Sequence, residues 1–170
     1  MIVANGIMKT QKWAEGLVKN FARPPGGGDT DLLKATAAGQ CNIALANTYY
    51  LGRMKNSESD QIRKAAENLE VFWPNQGEND RGAHVNVSGA GITKYAKNIE
   101  SGIALLEYLV KDESQKWYAE VNNEYPVVNG VMMSDTLRGF GKFKADTLNL
   151  SKLGEMNGEA VKLMDRSGWK

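Results

Sequence analysis

The stretch Ile43-Ala44-Leu45-Ala46-Asn47-Thr48-Tyr49-Tyr50 decides the reading of this chain. An apolar run of strand length, Cys41 to Ala46, gives way at Asn47-Thr48 to residues that favour the start of a helix. The end of a strand and the beginning of a helix is where α/β folds place ligands. Two adjacent tyrosines stand at that point. As phenols they are ordinary groups, one ring packing beneath a helix and the other lying at the surface. As phenolates they are hard anionic oxygens, better suited to a highly charged cation such as ferric iron than to zinc or copper(I). The dipeptide alone does not choose between these readings, because short motifs mislead.

Working outward, the hydrophobic spacing gives an alternation of helices and strands. Trp13, Leu17 and Phe21 recur every four residues and predict a helix over Met8 to Phe21. Arg23-Pro24-Pro25-Gly26-Gly27-Gly28 ends it. Asp29 or Asp31 then caps a helix running to about Ala38, stopped by Gly39. After the tyrosines come a short helix to Lys55, a charged surface helix from Ser57 to Asn68, and an apolar strand Leu69 to Trp73 closed by Pro74. Val85 and Val87 alternate with polar residues. Asn98 to Lys111 carries the clearest buried stripe, Ile99, Ile103, Leu106 and Val110. Helical pattern continues from Ser114 to Asn122, Tyr125 to Val128 is extended, and a last helix starts near Asn157 and stops at Gly168. The predicted class is α/β.

The chain has 170 residues, enough for one domain with a real core, and a formal net charge of +1. That balance gives no electrostatic reason to expect nucleic acid or an anionic membrane as partner. No apolar run approaches the roughly 20 residues of a membrane span, so membrane insertion is not expected, and no secretory signal is visible at Met1 to Gly6. The single cysteine, Cys41, allows no internal disulfide and reads as a small buried strand residue.

Other chemistry is poorly supported. Gly26-Gly27-Gly28 lacks the lysine and hydroxyl ending of a P-loop, and Asp29 and Asp31 would repel a phosphate, so it reads as a connector. Ser88-Gly89-Ala90-Gly91 completes neither a nucleophile turn nor a dinucleotide loop; its small residues suggest a close backbone approach. The single histidine, His84, has no partner for nucleophilic catalysis and reads as solvated. Glu120 lies four residues after Lys116, the spacing of a surface ion pair. No nucleophile–base pair is legible, so an enzyme is the least supported class.

Several runs together carry a resemblance. Asn47-Thr48-Tyr49-Tyr50-Leu51-Gly52-Arg53 resembles the iron-ligand segment of the periplasmic ferric-iron-binding proteins of bacterial ABC importers, the bacterial transferrins. Ala22-Arg23-Pro24 with the glycines and Asp29 that follow is similar to the family's run before the ligand strand, and Phe72-Trp73-Pro74-Asn75-Gln76-Gly77 and His84-Val85-Asn86-Val87-Ser88-Gly89-Ala90-Gly91 are similar to other runs of the family. Val121-Asn122-Asn123-Glu124-Tyr125-Pro126-Val127, Phe143 to Leu150 and Leu163-Met164-Asp165-Arg166 complete the set, in the family's order and across nearly the whole chain.

The resemblance implies a type II periplasmic-binding-protein lobe, a three-layer α/β/α arrangement, in a family of two lobes with the metal in the cleft between them. It implies Tyr49 and Tyr50 as paired tyrosinate ligands of Fe3+, Asn47 as a contact for a companion anion, an ABC permease as partner, and a periplasmic location. Family members are about twice this length, so the chain looks like their C-terminal half. Residues 1–83 and 129–170 then form the second lobe, and 84–128 packs with a first lobe that this sequence lacks. Iron binding by these residues alone is expected to be weak or absent, and the uncovered apolar stripe implies self-association as a homo-oligomer. A binding protein for another small solute and an interaction domain without transport stay open beside this reading.

Overall fold

A computed structural model of the chain describes residues 1–169. Its elements in chain order are α1 (Ile2–Asn5), α2 (Ile7–Lys19), α3 (Asp29–Ala37), α4 (Thr48–Lys55) and α5 (Asp60–Glu67). They continue with α6 (Ile99–Leu109), α7 (Asp112–Trp117), a π-helical turn (Tyr118–Asn122), α8 (Asp135–Gly139) and α9 (Ser151–Arg166). No helix among the described residues is long and apolar enough to cross a membrane. The backbone divides into two compact units: Met1–Gly28 with the stretch from Asp146 onward, and Asp29–Ala145.

In the first unit α2 buries Thr10 and Ala14, and α9 buries Leu163. The Thr10 hydroxyl donates to the Gly6 carbonyl at 2.8 Å, so its polar group is satisfied within its own helix. The Trp169 ring closes the unit edge-on against Phe21, centroids 5.3 Å apart, with Trp13 at 6.4 Å. It reaches that place because Gly168 turns the chain at φ 78.

The second unit has a core of Leu33, Leu51, Met54, Ala66, Leu69, Ala119, Leu137 and Phe140, drawn from α3, α4, α5, the π-turn and α8. The loop after Leu69 is fastened by specific bonds. Trp73 Nε1–H donates to the Phe140 carbonyl at 2.8 Å, and its ring stacks on Phe143 at 4.1 Å. The Gln76 side chain pairs with the backbone of Lys144 in both directions, accepting from its N–H at 2.6 Å and donating to its carbonyl at 3.2 Å. Beside that pair Ala83 bridges Ala145. Gly82, at φ 94, permits the approach, since a Cβ there would lie 2.6 Å from the Lys144 carbonyl oxygen.

The helices expected from spacing are present, while the strands differ. Cys41–Ala46, Leu69–Trp73 and the run after His84 are extended or irregular, and the only β pairing among the described residues is the isolated parallel bridge Ala83–Ala145. An apolar run supplies the side chains of a strand, but a ladder also needs a neighbour to take its N–H and C=O groups. Ile43 is 82% and Phe72 86% exposed, so these runs lack the cover a sheet layer would give them. Cys41 is accordingly half-buried in a loop, its Sγ 3.2 Å from Thr36 Oγ1, and is not the buried strand residue expected. The last helix begins at Ser151, six residues before the expected start, in spite of Gly154 and Gly158. His84 is exposed and Lys116 lies 3.8 Å from Glu120, as their spacing suggested. Gly89 and Gly91 face open space, so the close approach expected there does not occur.

Candidate functional site

The site begins with α4. Asn47 stands immediately before it in extended conformation (φ −73, ψ 139) and Leu51, Gly52 and Met54 form its buried face. Leu51 and Met54 are 4% and 3% exposed and join the core, so burial fixes the helix and leaves its first turn at the surface. Tyr49 and Tyr50 occupy that turn, both half-buried, with ring centroids 4.3 Å apart and planes inclined by 33°. Tyr50 packs against the core cluster, and the Arg53 guanidinium sits 5.6 Å from its ring centroid. That contact follows from the i, i+3 spacing and adds a cation to the ring face.

The electrostatics of the pair are set by its neighbours. The Tyr49 phenol is held above its ordinary value of 10.0 first by a hydrogen bond with Tyr50, then by burial, then by the charges of Tyr50 and Asp29; Arg53 pulls the other way. Two adjacent phenols therefore oppose ionising together, and a cation placed against both oxygens would remove that opposition. Among the described residues no three histidine, cysteine, aspartate or glutamate side chains are grouped to hold a metal.

Asn47 is part of the same cluster but does not cap its own helix with its side chain. Its backbone N–H donates to Asp29 Oδ2 at 2.8 Å and its Nδ2 donates to the same oxygen at 3.2 Å. Its Oδ1 accepts from Asn86 Nδ2 at 3.3 Å. Asp29 thus engages the Asn47 N–H and one of its two Nδ2 hydrogens, leaving a single side-chain hydrogen for an anion. Ser88, beyond Asn86, donates its hydroxyl to Glu124 at 3.1 Å.

The other end of α4 is pinned as firmly. Asn56 Nδ2 donates to Asn123 Oδ1 at 2.9 Å, and Asn56 Oδ1 accepts from the Thr136 hydroxyl at 3.0 Å. Asn123 ends the π-turn in the left-handed region (φ 59) and is 3% exposed. It is wedged against Gly52, where a Cβ would lie only 2.7 Å from that of Asn123. The glycine lets the Asn123 side chain seat directly on the backbone in the middle of the tyrosine-bearing helix. Sequence reasoning placed Tyr49, Tyr50 and Asn47 but not Asp29, Asn86 and Asn123, which reach the site from distant positions. The one local signal was Gly52, a glycine inside a helix, which often marks such an approach.

No protein-family model matches the chain. Iron uptake protein A1 of Synechocystis is 45% identical over 170 residues, covering 100% of this chain and 47% of that protein. The Trichodesmium FutA (IdiA) structure in complex with iron and citrate ligands superposes with a TM-score of 0.94 at 51% identity, covering 99% of this chain and 53% of that one. The ferric binding protein from Campylobacter jejuni gives 0.93 at 37% identity, covering 99% and 53%. The chain thus spans about half the length of the relatives it matches. It is a homologue of the bacterial iron-uptake and ferric-iron-binding proteins, like them in sequence and in fold across that half.

Proposed function

We propose that the chain is part of the solute-binding component of a periplasmic ferric-iron ABC importer, and that Tyr49 and Tyr50 are two of its iron ligands. The observation that carries this reading is the placement of two half-buried phenols, rings 4.3 Å apart, on the first turn of a helix held in the core by Leu51 and Met54. Homology to proteins named for iron uptake and ferric iron binding supports it. Iron enters as cargo: both phenols lose their protons to hard oxygen–metal bonds, protons compete for the same oxygens, and no bond in a substrate is made or broken. Asn47 would contact a companion anion through the side-chain hydrogen that Asp29 leaves open.

The same reading supplies the architecture. The extended runs Cys41–Ala46 and Leu69–Trp73 belong to a three-layer α/β/α lobe of type II periplasmic-binding-protein form, and the chain corresponds to the C-terminal half of the two-lobe protein. Residues 1–83 and 129–170 form one lobe, to whose core the π-turn adds Ala119, while the remainder of 84–128, with α6, packs on the other. The exposed apolar face of α6 is the contact surface, met in the intact importer component by the other lobe. In these 170 residues alone the face turns to a second copy. Closure of the lobes completes the iron shell and presents the form that the permease recognises.

Two phenolates leave most of an octahedral shell to water or anions, so a weak phenolate-to-iron charge-transfer band is expected when ferric nitrilotriacetate is titrated into the chain. The band should vanish when Tyr49→Phe and Tyr50→Phe are combined. A strong band surviving the double substitution overturns the assignment.

A further inference from the structure

Tyr49 and Tyr50 sit on the least protected part of α4. The buried face of the helix starts at Leu51, and the Asn56–Asn123–Thr136 bonds lie at its far end. A helix start is ordinarily fixed by a side-chain cap on the first free N–H groups. Asn47 has the right chemistry for that task and the right position, yet its side chain is turned away, toward Asp29 and Asn86.

We propose that Asp29 is a positioning residue for the tyrosine pair: its carboxylate holds the Asn47 peptide and amide, and so fixes the direction in which α4 launches the two phenols. Both Asn47 hydrogen bonds end on a single oxygen, Oδ2 of Asp29. Amide donors to a carboxylate make stronger bonds than amide–carbonyl pairs. Asp29 is itself well seated. It is the first residue of α3, where a negative charge is favoured, and α3 is anchored in the core by Leu33, 8% exposed. Leu33 and Leu51 share that core, so Asp29 connects the tyrosine turn to a platform that α4 already packs on. Asn86 approaches Asn47 from its other polar atom, so the residue is held on two sides. Removing Asp29 leaves the buried face and far end of α4 in place and frees only its first turn. Ligating side chains must be held to within about half an ångström to act together, so the freed turn is the one that matters. The functional consequence rests on reading Tyr49 and Tyr50 as iron ligands; the positioning itself does not.

The test uses the 170-residue chain with Asp29→Ala, Asp29→Asn and Asp31→Asn. Asp31 shares the first turn of α3, so its substitution removes the same kind of helix-end charge. Amide hydrogen exchange at Asn47 and Tyr50, the bonded amides of this turn, should quicken by about tenfold in Asp29→Ala, the effect of one lost hydrogen bond. Ring-to-ring contacts between Tyr49 and Tyr50, read by NMR, should weaken with it, while Leu51 and Met54 keep their protection. Asp29→Asn, which still offers an acceptor oxygen, should restore part of the loss, and Asp31→Asn should leave the tyrosines as they were. Unchanged exchange at Asn47 and Tyr50 and unchanged ring contacts between Tyr49 and Tyr50 in Asp29→Ala overturn the proposal. So does loosening of all α4 amides together, or an equal effect from Asp31→Asn. If Asp29→Ala does not fold, Asp29→Asn decides: exchange at Asn47 and Tyr50 slower than or equal to the parent's overturns the proposal, and faster exchange confined to them supports it. Ferric nitrilotriacetate is then titrated into each variant. A charge-transfer band in the parent that halves or moves in Asp29→Ala supports the role. Absence of any band in parent and variants counts against the iron reading, while the exchange data still judge Asp29.

Discussion

Two helices of the second unit, α4 and α6, show opposite relations between pattern and environment. Helix α4 is short, contains a glycine and two tyrosines, and has an unremarkable hydrophobic spacing, yet Leu51 and Met54 are almost wholly buried and both its ends are tied. Helix α6 has the clearest apolar stripe in the chain, yet none of its residues is buried: Ile99, Ile103 and Leu105 are 53%, 45% and 56% exposed. Amphipathic spacing states that a face needs cover and is silent on what supplies it. For α4 the cover comes from α3, α5 and α8 of the same chain; for α6 the described residues supply only part of it, with Leu106 and Leu109 half-buried and Ile92 lying against Gly102.

The comparison can be broken first at the level of stability. Leu51→Ala should cost about 3 kcal/mol in chemical unfolding, the range of a core leucine truncation, whereas Leu105→Ala should stay within about 0.5 kcal/mol. Equal losses would mean that α6 is as well covered as α4. A smaller effect, about 1–3 kcal/mol, is expected of Gly52→Ala, because its Cβ would strike Asn123. The unfolding midpoint should fall, and Asn123→Gly in the same chain should recover part of it.

The uncovered face gives the next test. At micromolar concentration the chain should sediment as more than a monomer, and Ile103→Glu should shift it toward monomer. A monodisperse monomer of the parent chain would remove α6 from the list of interfaces.

The smallest effect concerns Tyr125, a half-buried residue whose hydroxyl oxygen is buried with no hydrogen-bond partner among the described residues and whose pKa is pushed up to about 12 by burial. The stability that this neutral phenol contributes is complete below pH 10 and is lost as pH rises through about 12. Tyr125→Phe should therefore leave stability at neutral pH unchanged or slightly higher and flatten the alkaline fall between about pH 10 and 12. An unaltered alkaline limb in thermal unfolding would show that another group titrates there.

Legibility followed the range of the interactions. The bounds of α3, its Gly39 stop and the existence of α6 were readable because caps, stops and stripes are local. Helix α8 escaped because five residues give no periodicity, although Ser134, whose hydroxyl accepts from the Leu137 N–H at 3.3 Å, is a local cap signal. The runs Cys41–Ala46 and Leu69–Trp73 had strand composition, but their pairing depends on neighbours that composition does not name. At the site, Tyr49 and Tyr50 announced themselves by residue type. Asp29 and Asn123 did not, because their roles arise from contacts 18 and 67 positions apart along the chain, with Asn47 and Asn56.

The amide of Gln76 has a further consequence. One oxygen and one nitrogen at fixed separation answer the N–H and C=O of a single residue, Lys144, and a slip by one residue would offer them the wrong geometry. With Ala83 and Ala145 closing beside it, this pair works as a buckle. The polypeptide between its two sides, which includes α6, α7 and α8, is an excursion that leaves and returns at one fixed place. Insertions or cuts in its exposed stretches can then be absorbed without moving the ends, while Ala119, Asn123 and Leu137 within it still join the core and hold α4.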